Sequence, residues 1–267
     1  LPPQTNIPAD GVNFAIGGSS SGLDNALAPN LGLPGVLGQV SLFTQNLQAN
    51  NQQADPNALY AVWGGANDYV FGGVTDPNQT VTNLSNAIGA LTQAGAKNIA
   101  VFNLPDLGQL PVAIAGGNEV STGLTQLTNG HNTLLDLALD SFDGNSGVNI
   151  IPVDVNSLFN RVVASPGEFG FTQNPASSCV IGEIGSIIDD CQNPQGIVFT
   201  EAIEPNEFIF FDTFHPSSNS HRLVADVTLS AIKHETVPEP STVFSTFFIG
   251  AIGTVGLFKR KRKKILR

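Results

Sequence analysis

Apolar residues along this 267-residue chain fall into two patterns that alternate. Short continuous runs occupy residues 11–16, 58–63, 98–102 and 148–153, and most of them stop at Gly or Asn. Runs of that length and composition read as buried strands. Between them the apolar positions recur at helical spacing. Residues 37–47 do so weakly. Residues 81–94 put Leu84, Ile88 and Leu91 on one face, and residues 123–139 turn Leu124, Leu127, Leu134, Leu135 and Leu139 inward. Residues 218–232 come after Pro216, open with serines suited to capping, and bury Leu223, Val224, Val227 and Ala231. Residues 50–55 and 116–122 are polar enough to read as exposed loops. Strands that alternate with helices predict an α/β fold, a three-layer α/β/α sandwich around a parallel sheet. No internal repeat is visible.

Composition narrows the picture. Residues 1–233 form one domain long enough to bury a proper core. Of the 11 basic residues, seven lie between Lys259 and Arg267. The other four, Lys97, Arg161, Arg222 and Lys233, face 22 acidic residues, so residues 1–258 carry a net charge of −18. A surface this acidic repels phosphate backbones and excludes nucleic acid as a partner. Few lysines and many Gly, Asn, Ser, Thr and Gln suit an extracellular protein.

Candidate chemistry begins at Asp212-Thr-Phe-His215-Pro216. Imidazole titrates near neutral pH, and a carboxylate three residues earlier can hold it in one tautomer and stabilise its cation. By itself the spacing fits a turn residue beside a satisfied histidine equally well. Two other segments shift the balance. Asn13-Phe-Ala-Ile-Gly17-Gly18-Ser19 and Trp63-Gly64-Gly65-Ala66-Asn67-Asp68 each read as a strand that ends in glycine, where backbone amides and short polar side chains converge on ligands in open α/β sheets. A glycine amide and the Asn67 amide could both donate to a developing oxyanion.

In that order, N-F-A-x-G-G, G-x-N-D and D-x-x-H-P resemble the SGNH or GDSL family of esterases and lipases, from about Gly11 to about Lys233. Residues 103–111 and 166–171 resemble connecting segments of its secreted members. The resemblance implies a flavodoxin-like three-layer fold and ester hydrolysis through an acyl-enzyme. It implies His215 as base, Asp212 as its orienting acid, and an oxyanion hole from the Gly18 amide and the Asn67 side chain, with Gly18 preferred over Gly17 by position in the motif. Asn67 also fits a helix cap, and Asp68 reads as structural. His221 reads as a packing or surface residue, and His131 and His234 as solvated. No metal or organic cofactor is implied.

The family's fourth block, a Gly-Asp-Ser-Leu motif that carries the nucleophile on the first strand, does not occur here. Residue 1 is Leu and the chain contains no Met, so the expectation is a fragment that lacks the first strand, the helix after it and any signal peptide. Gly18-Ser-Ser20-Ser-Gly22 matches G-x-S-x-G, but Leu23 to Pro29 make a poor helix, and that elbow needs strand, turn and helix. Ser19, Ser20 and Ser21 are read as loop residues.

The C-terminus suggests an address. Residues 234–241 form a linker with Pro238-Glu-Pro240, residues 242–258 are uncharged and mostly apolar, and residues 259–267 are basic. The apolar stretch barely spans a bilayer, with the basic cluster on the cytoplasmic side. The combination resembles the PEP-CTERM sorting signal of Gram-negative bacteria and cyanobacteria. That implies export, transient inner-membrane anchoring, a sorting protease as partner, and a final place at the cell surface or outside. Cys179 and Cys191, the only cysteines, read as a disulfide in an exported chain. Such a loop also occurs in secreted members of the family. The expected function is an exported serine ester hydrolase acting on lipid or acylated carbohydrate. The alternative is a surface-anchored binding or matrix protein that keeps the fold without the chemistry.

Overall fold

The computed structural model describes residues 12–142, 147–176 and 205–236. The chain divides into residues 1–231 and 232–267, and the sheet lies in the first of these units. Cys179, Cys191 and the apolar stretch at 242–258 lie outside the described residues. Among the described residues, no helix is long and apolar enough to cross a membrane.

Three strands form a parallel sheet in chain order: β1 (Leu59–Val62), β2 (Asn98–Phe102) and β3 (Asn149–Val153). Parallel neighbours need a crossover. The first contains α2 (Ala66–Val70) and α3 (Pro77–Gln93), and the second contains α4 (Pro111–Ala115) and α5 (Asn118–Asp140). Helix α1 (Val36–Ala49) precedes β1, while α6 (Val155–Ala164) and α7 (Ser218–Thr236) come after β3.

Alternation along the strands sorts side chains onto two faces. Val62, Ile99 and Val101 join Leu47 of α1, Leu84 and Ile88 of α3, and Leu135 of α5 in one apolar core. Ala100, Phe102, Ile151 and Val153 point the other way and are buried too. Burial on both faces is what the continuous apolar runs predict. Over β1 the second face is more open, with Leu59 exposed and Trp63 partly so, its ring stacked on Phe102 with centroids 5.3 Å apart.

Two expectations need correction. Residues 12–16 are not a strand. The Asn13 side chain accepts from the Ala15 amide, and Phe14 packs edge-on against Phe43 of α1 at 5.4 Å, so local and helix contacts replace a ladder. Residues 118–122, expected in a loop, are the first turn and more of α5. Ser121 donates to the Gly108 carbonyl at 2.8 Å and Thr125 to Asp106 at 2.8 Å, so docking onto the loop after β2 extends the helix. Helix α6 is an addition: Val155, Leu158, Phe159 and Val162, at helical spacing, are buried, and Asp154 caps the helix at the Ser157 amide.

Ile99 has no exposed surface at the centre of the sheet. Ile99→Ala should cost about 2–5 kcal/mol, read as a lower urea midpoint. Leu59→Ala, at an exposed position, should stay within about 0.5 kcal/mol. Equal effects would contradict the assignment of the two faces.

Candidate active site

The segment after Ile16 is a loop that folds back on itself and onto α1. Gly18 sits at φ 75°, in the left-handed region. A Cβ there would stand 2.7 Å from Leu27 Cβ and 2.8 Å from Asn25 Oδ1, whereas one at Gly17 would meet nothing within 4 Å. Gly18 is thus the glycine the geometry requires. Buried Asn25 organises the turn by donating to the Gly17 carbonyl and accepting from the Leu27 and Ala28 amides. Further on, the carbonyls of Ser20, Ser21 and Gly22 accept from the Val36, Leu37 and Gly38 amides at 2.8, 3.1 and 3.2 Å. These are the amides a helix N-terminus leaves unpaired, so backbone replaces a side-chain cap for α1.

Strand β1 ends at Gly64-Gly65, and α2 starts there. Two consecutive residues of that helix grip the loop. Asn67 Nδ2 donates to the Ser19 carbonyl at 2.9 Å. The buried Asp68 carboxylate accepts from the Ser21 amide at 2.8 Å and the Ser21 hydroxyl at 2.6 Å, with Thr80 at 3.4 Å. Burial pushes the Asp68 carboxyl up, and the Ser21 and Thr80 hydrogen bonds oppose that rise. The hydroxyls of Ser19, Ser20 and Ser21 donate to the Pro34 carbonyl, to Asp24 and to Asp68. No helix starts after Gly22. A loop role for all three serines fits this geometry.

The histidine stands on a tight reversal. Phe210 and Pro216 form an antiparallel bridge, and the Phe211 amide donates to the His215 carbonyl at 2.8 Å. Buried Asp212 closes the turn from within: one carboxylate oxygen accepts from the Phe214 and His215 amides at 2.8 and 2.6 Å. Its other oxygen lies 2.7 Å from His215 Nδ1. Burial would raise this carboxyl, but the bonds from the His215 ring and the two amides outweigh it and hold it at about 2. An ionised carboxylate only accepts, so Nδ1 carries the proton and Nε2 is left basic. The His215 side chain is 64% exposed. The Asp212 hydrogen bond raises the His215 ring, against the burial that lowers it. His221, on α7, is exposed, as expected for a surface residue.

Packing brings the loops together. The Phe214 ring lies 5.0 Å from Phe71, one helical turn after Asn67. The Val112 amide donates to the Thr213 carbonyl at 3.2 Å, which ties the histidine turn to α4. Among the described residues no group of three or more His, Cys, Asp or Glu could hold a metal. His131, expected in solvent, is instead fully buried on α5. It lies four residues from both Leu127 and Leu135, on the helix's inward stripe, and that spacing is the signal that marks it as interior.

Residues 2–228 match the GDSL-like Lipase/Acylhydrolase family. The chain is 31% identical over 236 residues to "Esterase EstA" of Pseudomonas aeruginosa, covering 84% of this chain and 35% of that protein. It is 34% identical over 245 residues to "Uncharacterized protein in trpE-trpG intergenic region" of Pseudomonas putida, covering 87% of this chain and 39% of that protein. With "Lipase 1" of Photorhabdus luminescens the identity is 25% over 297 residues, covering 85% and 43%. The chain thus spans less than half the length of these relatives. It belongs to the GDSL-like lipase/acylhydrolase family, and its parallel sheet with flanking helices agrees with that α/β hydrolase fold.

The Asp212–His215 pair sets a pH window. Asp212 is depressed, so its contribution to stability is complete above the unfolded value near 3.9 and is lost as pH falls toward about 2. His215 is raised, so its contribution is complete below 6.5 and fades as pH rises through the folded value. An NMR titration of the His215 ring should therefore show a midpoint above 6.5, and Asp212→Asn should bring it down. An equal midpoint in both proteins would dissolve the pair.

Proposed function

We propose that this member of the GDSL-like lipase/acylhydrolase family is the hydrolase part of a serine esterase that cleaves carboxylic esters through an acyl-enzyme. The observation that carries the reading is the His215 ring, bonded through Nδ1 at 2.7 Å to the buried Asp212 carboxylate on a largely exposed side chain. In this reading the nucleophilic serine is that of the family's Gly-Asp-Ser-Leu motif, which does not occur in residues 1–267, and Ser19, Ser20 and Ser21, whose hydroxyls donate to the Pro34 carbonyl, Asp24 and Asp68, keep a loop role. In this reading Nε2 of His215 takes the proton from the serine as it attacks the ester carbonyl, then returns it to the leaving alcohol. Asp212 keeps the ring in the required tautomer and stabilises the imidazolium. The Gly18 amide and the Asn67 side chain stabilise the oxyanion. The substrate in this reading is an ester of a lipid or an acylated carbohydrate.

Export belongs to the same proposal and rests on sequence alone. The Pro238-Glu-Pro240 linker, the apolar stretch and the basic end are read as a sorting signal that brings the chain to the inner membrane, where a protease removes it. Cys179 and Cys191 are read as joined in the exported protein.

Two experiments test these readings. In the full-length protein with its serine, His215→Ala should abolish hydrolysis of a short-chain nitrophenyl ester. Asn67→Ala should lower kcat by about a hundredfold or more with little change in KM. Normal turnover in a folded His215→Ala protein sinks the triad. An intact protein that shows no His215-dependent turnover on any ester favours a binding or matrix role. For the tail, intact mass of protein recovered from its native host should exclude residues from about Ser241 onward. A mass that retains Lys259 to Arg267 rejects processing.

A further inference from the structure

A histidine that no catalytic step uses lies beneath the turn that carries Asn67. His131 is fully buried, and the Tyr69 hydroxyl is 2.9 Å from its Nδ1, with the two rings edge-to-face at 5.7 Å. Burial pushes the His131 ring down to about 4 and the Tyr69 phenol up to about 12. At neutral pH the imidazole is therefore uncharged and the phenol keeps its proton. The phenol and Nδ1 share one hydrogen bond, whose direction depends on the imidazole tautomer. Nε2 has no hydrogen-bond partner among the described residues. A leucine at this interior position would bury no polar atom at all, so a histidine half-bonded here needs a reason.

The contacts of the ring supply one. Gly65, at φ 108°, lies on its edge. A Cβ on Gly65 would stand 2.7 Å from His131 Cε1 and 3.3 Å from Nδ1, with Thr80 Cγ2 at 3.1 Å. Gly65 is the residue from which α2 starts, two before Asn67, and Tyr69 comes two after it. The imidazole thus meets the stretch at both ends, by van der Waals contact at Gly65 and by a hydrogen bond at Tyr69, with Asn67 between. A phenyl ring could supply the contact but not the hydrogen bond. An aliphatic chain could supply neither the flat edge nor the hydrogen bond.

We propose that His131 is a positioning residue, a buried strut that fixes residues 65–69 and so aims the Asn67 side chain. The inference rests on the reading of Asn67 as an oxyanion donor, because positioning matters to rate only if the amide meets charge in the transition state. A modest misplacement of such a donor is enough to slow chemistry.

The test is a double-mutant cycle in the active full-length enzyme, joined to a signal independent of turnover. His131→Ala should lower kcat about tenfold or more with KM changed less than about twofold. In an Asn67→Ala background the same substitution should lower kcat by less than about twofold. His131→Asn retains a hydrogen-bonding group near the Nδ1 position and should recover part of the loss. It also takes the place of the alanine variant in the cycle if that one does not fold. The side-chain NH2 resonance of Asn67 should shift in either variant. Equal losses in both backgrounds, or an unmoved Asn67 resonance, overturn the proposal. A kcat insensitive to Asn67→Ala overturns the oxyanion reading instead, while a shifted Asn67 resonance still upholds the strut.

Discussion

The buried carboxylate of Asp68 is the constraint on which the candidate site depends. It takes both the amide and the hydroxyl of Ser21, 47 positions upstream, with Thr80 on the same oxygen as the hydroxyl. Asn83 adds a hydrogen bond to the Ser21 hydroxyl at 3.0 Å. A carboxylate withdrawn from water is unfavourable unless its lone pairs are filled, and once filled it holds its donors tightly. Because Asp68 is on α2 and Ser21 is on the glycine loop, neither segment can move without stranding a buried charge. Asn67, one residue earlier, gains a fixed neighbour in the Ser19 carbonyl from the same clamp.

The histidine turn is built on a different principle. Asp212 satisfies two amides of its own turn as well as the imidazole, so the residue that shapes the loop also sets the chemistry of the ring. This part is local: four consecutive residues make their own hydrogen bonds, and Phe214 and Thr213 then dock the turn on Phe71 and Val112. Long-range clamping for Asn67 and the glycine loop and local folding for His215 mean that the two halves answer to different sequence requirements.

That difference explains how much of the molecule is legible in its sequence. The three paired strands lie on continuous apolar runs, two of which end in Gly or Asn, and burial of β2 on both faces leaves that trace directly. Asp212 and His215 are legible because their turn is local. The grip of Asp68 on Ser21 is not, since nothing in a linear chain marks which distant amide a carboxylate will accept. Residues 12–16 have a strand's composition, but a strand exists only with a neighbour, and here Phe14 turns to Phe43 instead. His131 is a different case: its residue type points to solvent, while its spacing from Leu127 and Leu135 places it on the inward stripe of α5, and position prevails over type.

The backbone clasp between residues 20–22 and the first amides of α1 has an evolutionary corollary. It closes the base of residues 23–34, so the chain between those points is an excursion whose two ends are held by main-chain groups. Closure entropy rises slowly with length, about 0.6 kcal/mol for each doubling. Main-chain clasps are also indifferent to which side chains ride on them. Residues 25–28 hold Gly18 directly, so it is the exposed stretch 29–33 that can lengthen, shorten or change composition with little consequence for its placement, and descendants of one hydrolase can diversify that rim while inheriting the turn beneath it.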